Sequence, residues 1–160
     1  MLQKMKKAWK SLFAVSMLLI VLLVAGCGGG SGSTAQRVLG LAADSVVNTF
    51  FETAKAGNLN EAALYVSPDS KQSAQTVKNF LTGQLGLDQI KEANLLSVKK
   101  LAEKGDYAVV LATLQDKTSM KITVKPVGLI KISGEWYIVD ADQIYSDAKY
   151  KILQQLLANI

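Results

Sequence analysis

The spacing of apolar residues changes near Asp88, and this change constrains the fold more than any other feature of the chain. Before Asp88, apolar side chains recur every three or four positions, which is typical of amphipathic helices. After it, short segments rich in Val, Ile, Leu, Thr, Tyr and Trp are separated by turn residues, which is typical of strands. Because the connections are short, the strands should form an antiparallel meander. The pattern predicts an α+β domain, with N-terminal helices packed on a curved four-stranded sheet.

Three helices are predicted before the sheet. The first covers residues 35–56 and ends at Gly57, because glycine tolerates the left-handed conformation that closes a helix. A short second helix covers residues 60–66, and Ser67 with Pro68 should open the third as its cap and its first residue. The apolar stripes of the first and third helices comprise Leu39, Ala43, Val46, Val47, Phe50, Phe51, Ala54, Val77, Phe80, Leu81 and Leu85.

The predicted strands cover residues 95–103, 107–115, 119–132 and 135–141. Pro126 interrupts the third strand and should mark a bulge or bend, because proline cannot donate to a strand ladder. In that strand Met120, Ile122 and Val124 alternate with polar residues, so the two sets should lie on opposite faces of the sheet.

A C-terminal amphipathic helix is predicted within residues 146–160, with Ser146 as its cap. Its apolar face can cover an open side of the sheet, contact a partner, or lie on a membrane. The first role is favoured. The third is disfavoured because the polar face carries only two lysines, offset by Asp147. The apolar face comprises Tyr145, Ala148, Ile152, Leu153, Leu156, Leu157 and Ile160.

Residues 1–26 have the composition of a secretory signal peptide. Lysines without acids are followed by an apolar run at residues 12–25 that ends in small residues and is short for a transmembrane span. The sequence Val24-Ala25-Gly26-Cys27 resembles the lipobox of bacterial lipoproteins, in which a diacylglyceryl group is attached to the cysteine sulfur and the preceding peptide is removed. The resemblance implies lipidation of Cys27. It also implies a lipid anchor at the extracytoplasmic face of the cell membrane.

The Gly/Ser-rich residues 27–34 should then act as a tether of about 15 Å root-mean-square reach. Four of the 18 Lys and Arg precede Cys27, whereas all 13 acids follow it, so the chain after residue 26 carries a net charge of about +1 rather than +5. Nucleic-acid binding needs a basic surface, and no nucleic-acid partner is expected. Cys27 is the only cysteine, so no disulfide is expected.

Two segments resemble a known fold family. Residues 46–58 read Val-Val-Asn-Thr-Phe-Phe-Glu-Thr-Ala-Lys-Ala-Gly-Asn, and a short helix with Ala-Ala-Leu-Tyr at residues 62–65 follows. The last strand contains Gly-Glu-Trp-Tyr-Ile-Val-Asp at residues 134–140. These patterns resemble small secreted lipoproteins with a nuclear-transport-factor-2-like, cone-shaped domain. The resemblance implies such a domain at residues 35–145, with a bent sheet around the first helix and often a pocket at its wide end.

Relatives of that fold include enzymes and non-enzymatic binding modules, so the fold does not select a function. The chain has no histidine, which excludes His-based nucleophilic systems and ordinary His-containing zinc sites. Asp140 and Asp142 could share one strand face as an acid/base pair, and Asp106 adjoins Tyr107. The favoured interpretation is that Asp140 and Asp142 lie at an exposed strand end and help to terminate the strand. No catalytic residue, metal or cofactor is predicted.

Phe50, Tyr65, Tyr107 and Trp136 are candidates for the wall of a ligand pocket, although large aromatics at such spacings are usually core. The sequence therefore favours a non-catalytic, lipid-anchored module of the cell envelope that binds a small apolar ligand or an envelope protein. One alternative is a small enzyme that uses Asp/Tyr proton transfer. Another is an accessory subunit of an envelope complex. The oligomeric state stays open.

Overall fold

The computed structural model describes residues 35–82 and 92–160, except for the side chains of residues 79–82. The α+β class and the order of helices before the sheet are confirmed. The elements are α1 (Ala43–Lys55), α2 (Leu59–Ala63), α3 (Ala74–Thr82), β1 (Ala93–Lys104), β2 (Tyr107–Asp116), β3 (Ile122–Ile132), β4 (Glu135–Val139), α4 (Ala141–Ser146), a 3-10 helix (Ala148–Tyr150) and α5 (Lys151–Leu157). The predicted signal peptide, Cys27, the tether and Leu85 lie outside the described residues.

The four strands lie in the order β1-β2-β3-β4, and each pairs antiparallel with the next, which confirms the meander. The bulge predicted at Pro126 is wrong. The register between β2 and β3 runs without a shift, with Pro126 opposite Leu111. The shifts occur in β1 instead, at residues 95–97 and 100–102.

The first face of the sheet packs against α1. The apolar residues of α1 recur every three or four positions, as predicted, and each of them is buried in the main core. They meet alternate residues of β2, because successive strand residues point to opposite faces. The core between α1 and this face contains Ala43, Val46, Val47, Phe50, Phe51 and Ala54 of α1 and Ala108, Val110, Ala112 and Leu114 of β2.

The second face of the sheet is partly covered by the C-terminal segment. Ile144 of α4, Tyr150 of the 3-10 helix and Leu153 of α5 are fully or almost fully buried against Val109 and Ile130. The predicted role of the segment in covering an open side of the sheet is confirmed. The predicted C-terminal helix is confirmed at residues 148–157, where the 3-10 helix continues directly into α5, but its predicted start at Ser146 is wrong, because Ser146 ends α4.

The physical reason is a second cap inside the segment. Ser146 is the last residue of α4. The next residue, Asp147, has an extended backbone and its side chain accepts a hydrogen bond from the Lys149 amide, which starts the 3-10 helix. Asp140 caps α4 in the same way through the Asp142 amide.

Two predictions about the N-terminal helices are also wrong. Residues 35–42 are not helical, because tertiary contacts made by Arg37 and Gly40 hold them against the sheet. Ser67 does not cap a helix. Its amide donates to the Ile138 carbonyl, and Ile138 donates to Tyr65, so residues 65–67 lie along the outer edge of β4. Helix α3 begins only at Ala74.

Candidate functional site

The four aromatic residues predicted to line a pocket do not lie together. Phe50, Tyr65 and Trp136 are buried in the core on the first face, and the Tyr65 hydroxyl accepts a hydrogen bond from the Val38 amide at 3.1 Å. Tyr107 packs on the second face. A pocket that includes these residues stays a prediction.

The acidic candidates have structural roles. Asp140 Oδ1 accepts a hydrogen bond from the Asp142 amide at 3.0 Å and caps α4. Asp106 lies between β1 and β2, where its carbonyl accepts a hydrogen bond from the Lys131 amide. The favoured interpretation of Asp140, as a residue that ends a strand, is confirmed, because β4 ends one residue before it.

A charged cluster connects the loop after α2 to the C-terminal segment. Asp69 Oδ2 accepts hydrogen bonds from Lys149 Nζ at 2.5 Å and from the Tyr150 hydroxyl at 3.1 Å. The hydrogen bond from Lys149 is the main cause that lowers the pKa of Asp69, and the same bond raises the pKa of Lys149. Both groups therefore stay charged near neutral pH and are poorly suited to exchange protons there. The cluster ties two segments together.

A cleft of about 150 Å³ lies where β4 ends at Val139 and the chain turns into α4. Its wall contains the backbone of β3 on one side and residues of α4 and α5 on the other. Most of its lining side chains are apolar, and Tyr145 at its border is 66% exposed. The lining residues are Lys125, Pro126, Val127, Gly128, Val139, Ala141, Ile144, Tyr145 and Leu157.

Gly128 allows the cleft to be narrow. A Cβ on this residue would lie 2.6 Å from Cδ1 of Ile144, which is closer than two carbon atoms can approach. The absence of a side chain therefore lets α4 pack directly on β3. Pro126 and Gly128 in an otherwise apolar strand are the sequence signal for this cleft, although by itself the pattern predicts only a bulge or bend.

Lys125 is the buried cation of this region. It lies opposite Ala112, so its side chain belongs to the first face of the sheet, and only 6% of the residue is exposed. Burial disfavours the charged ammonium and lowers the pKa of Lys125 to about 8.

No family model matches the chain, and no curated protein matches it. Within residues 35–82 and 92–160, no group of three or more His, Cys, Asp or Glu side chains is placed to hold a metal ion. None of the helices in this part of the chain is long and apolar enough to cross a membrane.

Proposed function

We propose that this protein is a lipid-anchored, extracytoplasmic module of the cell envelope, and that it binds a ligand or a partner protein without catalysing a reaction. The observation that carries the proposal is the sequence Val24-Ala25-Gly26-Cys27 after a basic and apolar leader. Residues 28–34 follow, and their Gly/Ser-rich composition is typical of a linker. Acyl chains on Cys27 would give stable anchoring, which one chain alone does not.

Two features support binding rather than catalysis. Asp140 and Asp69, acids that an enzyme could use, serve as a helix cap and as an ion-pair partner of Lys149. The cleft beside Gly128 is mostly apolar in its side chains and is smaller than the roughly 300–1,000 Å³ of drug-sized ligand sites. It fits one apolar side chain or a similarly small group.

The nuclear-transport-factor-2-like assignment stays part of the proposal. A long first helix packed on one face of an antiparallel meander supports it. The layer formed by α4 and α5 on the second face lies beyond the segments that carry the resemblance.

The test of the proposed anchor compares Cys27→Ala with the matched control Gly28→Ala in bacterial cells. We expect the wild type and the control to be shorter than the precursor, to carry a diacylglyceryl mass on the N-terminal cysteine, and to enter the detergent phase. The Cys27→Ala chain should keep the unprocessed mass and leave the detergent phase. Equal mass and equal partitioning of both variants would contradict the proposal.

A second candidate function, docking to an envelope complex, is favoured by the part of the second sheet face that the C-terminal segment leaves open. Ile122 and Val124 lie there, 57% and 54% exposed. Apolar strand residues of this size are usually covered, so their exposure points to an interaction surface.

A further inference from the structure

Residues 35–42 form a strap that lies against the start of β4 and contains neither helix nor strand. Arg37 donates a hydrogen bond to the Trp136 carbonyl, and the Gly40 amide donates to the Glu135 carboxylate at 3.0 Å. Both bonds join the strap to residues that are far away in sequence. The backbone of the strap is therefore held on the fold.

The exposed surface of the strap is mostly apolar and uncharged. The Val38 amide donates to the Tyr65 hydroxyl at 3.1 Å, yet Val38 and Leu39 are 53% and 70% exposed. Arg37 is the only charged residue of the strap, and it turns inward. Its side chain is 9% exposed, and its guanidinium lies 3.9 Å from the ring centre of Tyr137. Val38 and Leu39 thus form an apolar projection on a fixed backbone.

The strap also lies close in sequence to the proposed lipid attachment site. Ala35 is eight positions after Cys27, and eight residues span at most about 28 Å however they are arranged. The next exposed large apolar residue of the described chain, Leu96, comes much later in the sequence. If Cys27 is held at a bilayer surface, Val38 and Leu39 are therefore the exposed apolar pair with the shortest covalent connection to that surface.

The charges next to the strap are compatible with contact with lipid. Glu135, the acid that Gly40 binds, lies 3.8 Å from Arg37 Nη2, so its charge is already paired. Lys131 Nζ lies 4.9 Å from the ring centre of Trp136, which places a cation at the same end of the sheet. Cations near a bilayer surface are attracted to anionic lipid, and a paired acid opposes the approach less than a free one.

We propose that Val38 and Leu39 insert into the interface of the bilayer that carries the lipid anchor, and that this contact orients the domain on the membrane. Two side chains bind a bilayer weakly by themselves. The covalent link to Cys27 makes their insertion an intramolecular step, for which a weak interaction is sufficient. The proposal rests on the anchor in the proposed function and adds a second membrane contact, made by the fold itself.

The contact would keep the far end of β3 away from the lipid. The strap binds Glu135, which pairs with Ile132 at the end of β3. Ile122 begins the same strand and lies about 33 Å from Ile132 along it. The open part of the second face at Ile122 and Val124 would therefore stay accessible from the aqueous side.

The test places one fluorescent label at a time on the full chain, which is produced in bacterial cells and reconstituted in phosphatidylcholine vesicles. Lipid on Cys27 blocks its sulfur, so a thiol-reactive bimane attaches only to an introduced cysteine. Leu39→Cys reports on the strap. The matched control Ile122→Cys replaces an apolar residue of similar exposure, 57% against 70%, at the far end of β3. Vesicles made with brominated acyl chains quench a label that lies in the bilayer.

We expect brominated lipid to lower the fluorescence at position 39 about twofold or more, and at position 122 by less than about 1.2-fold. Val38→Asp in the Leu39→Cys chain should abolish the quenching, because a carboxylate resists burial in hydrocarbon. The matched control Val38→Ile should keep it. The label is the same in both chains, so its own affinity for lipid cannot produce this difference.

Four outcomes would overturn the proposal. The first is equal fluorescence at position 39 in brominated and ordinary lipid. The second is quenching that Val38→Asp leaves unchanged, because the label alone would then cause the insertion. The third is equal quenching at positions 39 and 122, which would mean that the sheet lies flat on the bilayer. The fourth is a blue-shifted label at position 39 without quenching, which would mean that a partner protein or a second copy covers the strap.

The mass of each labelled chain separates this proposal from the anchor. A chain that carries the diacylglyceryl group and is not quenched at position 39 would remove the strap contact and leave the anchor standing. A chain without that group would carry a second label on Cys27 and would remove both.

Discussion

Gly128 and Ile144 pack against each other so closely that the contact excludes any side chain at position 128. A Cβ there would lie 2.6 Å from Ile144 Cδ1 and 3.4 Å from a methyl group of Leu153. Ile144 and Leu153 are both buried, so their methyl groups have little room to yield. This contact fixes the distance between α4 and β3, and with it the width of the cleft.

Gly128→Ala should therefore destabilise the fold by about 1–3 kcal/mol through overpacking. Ile144→Val removes the clashing Cδ1 and alone should cost about 0.5–1.5 kcal/mol. We expect Gly128→Ala to lower the free energy of unfolding less in the Ile144→Val background than in the wild type. Urea unfolding of the wild type, the two single variants and the double variant measures this difference. Strictly additive costs would show that the two residues are not in contact.

Arg37 anchors residues 35–42 to the sheet. Its Nη2 atom donates to the Trp136 carbonyl, its guanidinium lies 3.9 Å from the ring centre of Tyr137, and its side chain is only 9% exposed. Arg37 Nε and Nη1 are buried without an acceptor in the described part of the chain, which costs free energy because these groups lose their hydrogen bonds to water. The contact with the Tyr137 ring and the hydrogen bond to Trp136 offset this cost.

Arg37→Ala should release this segment and lower the free energy of unfolding by about 1–2 kcal/mol. Limited proteolysis should then cut within residues 35–42, while the exposed control Gln36→Ala stays protected. Arg37→Lys should not restore protection, because an ammonium does not stack as a planar guanidinium does. Full protection in Arg37→Lys would contradict this explanation.

These contacts show what sequence patterns can and cannot predict here. The stripe that contains Val46 and Phe50 predicted α1 and its buried face, because periodicity reports local geometry. The predicted start of α1 was wrong because Arg37 contacts Trp136, 99 residues away in sequence, and a local pattern of residues does not report such contacts.

The pattern of β3 shows the same limit. Alternation correctly separated Ile122 and Val124 from Lys125, but it does not say which of the two faces is buried. Lys125 is buried on the first face, whereas the two apolar residues are more than half exposed on the second. Alternation assigns residues to faces, and only the tertiary arrangement decides which face is covered.

Lys125 should make stability depend on pH. Its pKa is lowered from 10.5 to about 8 in the folded protein by burial. Between these values the unfolded chain binds more protons than the folded one, so this residue makes stability rise with pH, and its contribution is least favourable below pH 8. We expect the unfolding free energy of the wild type minus that of Lys125→Met to rise between pH 7.5 and 10 by up to about 1.4 kcal/mol per pH unit. A flat or falling difference would show that the folded pKa is not lowered.

The C-terminal segment should contribute to stability through its buried residues and not through its exposed ones. Leu153 is fully buried against the second face, whereas Ile160 is 57% exposed. Leu153→Ala should cost about 2–5 kcal/mol, because it removes buried methyl groups and leaves a cavity. Ile160→Ala should change the unfolding free energy by less than about 0.5 kcal/mol. Equal and small effects of both substitutions in urea unfolding would mean that this segment packs on something other than its own sheet.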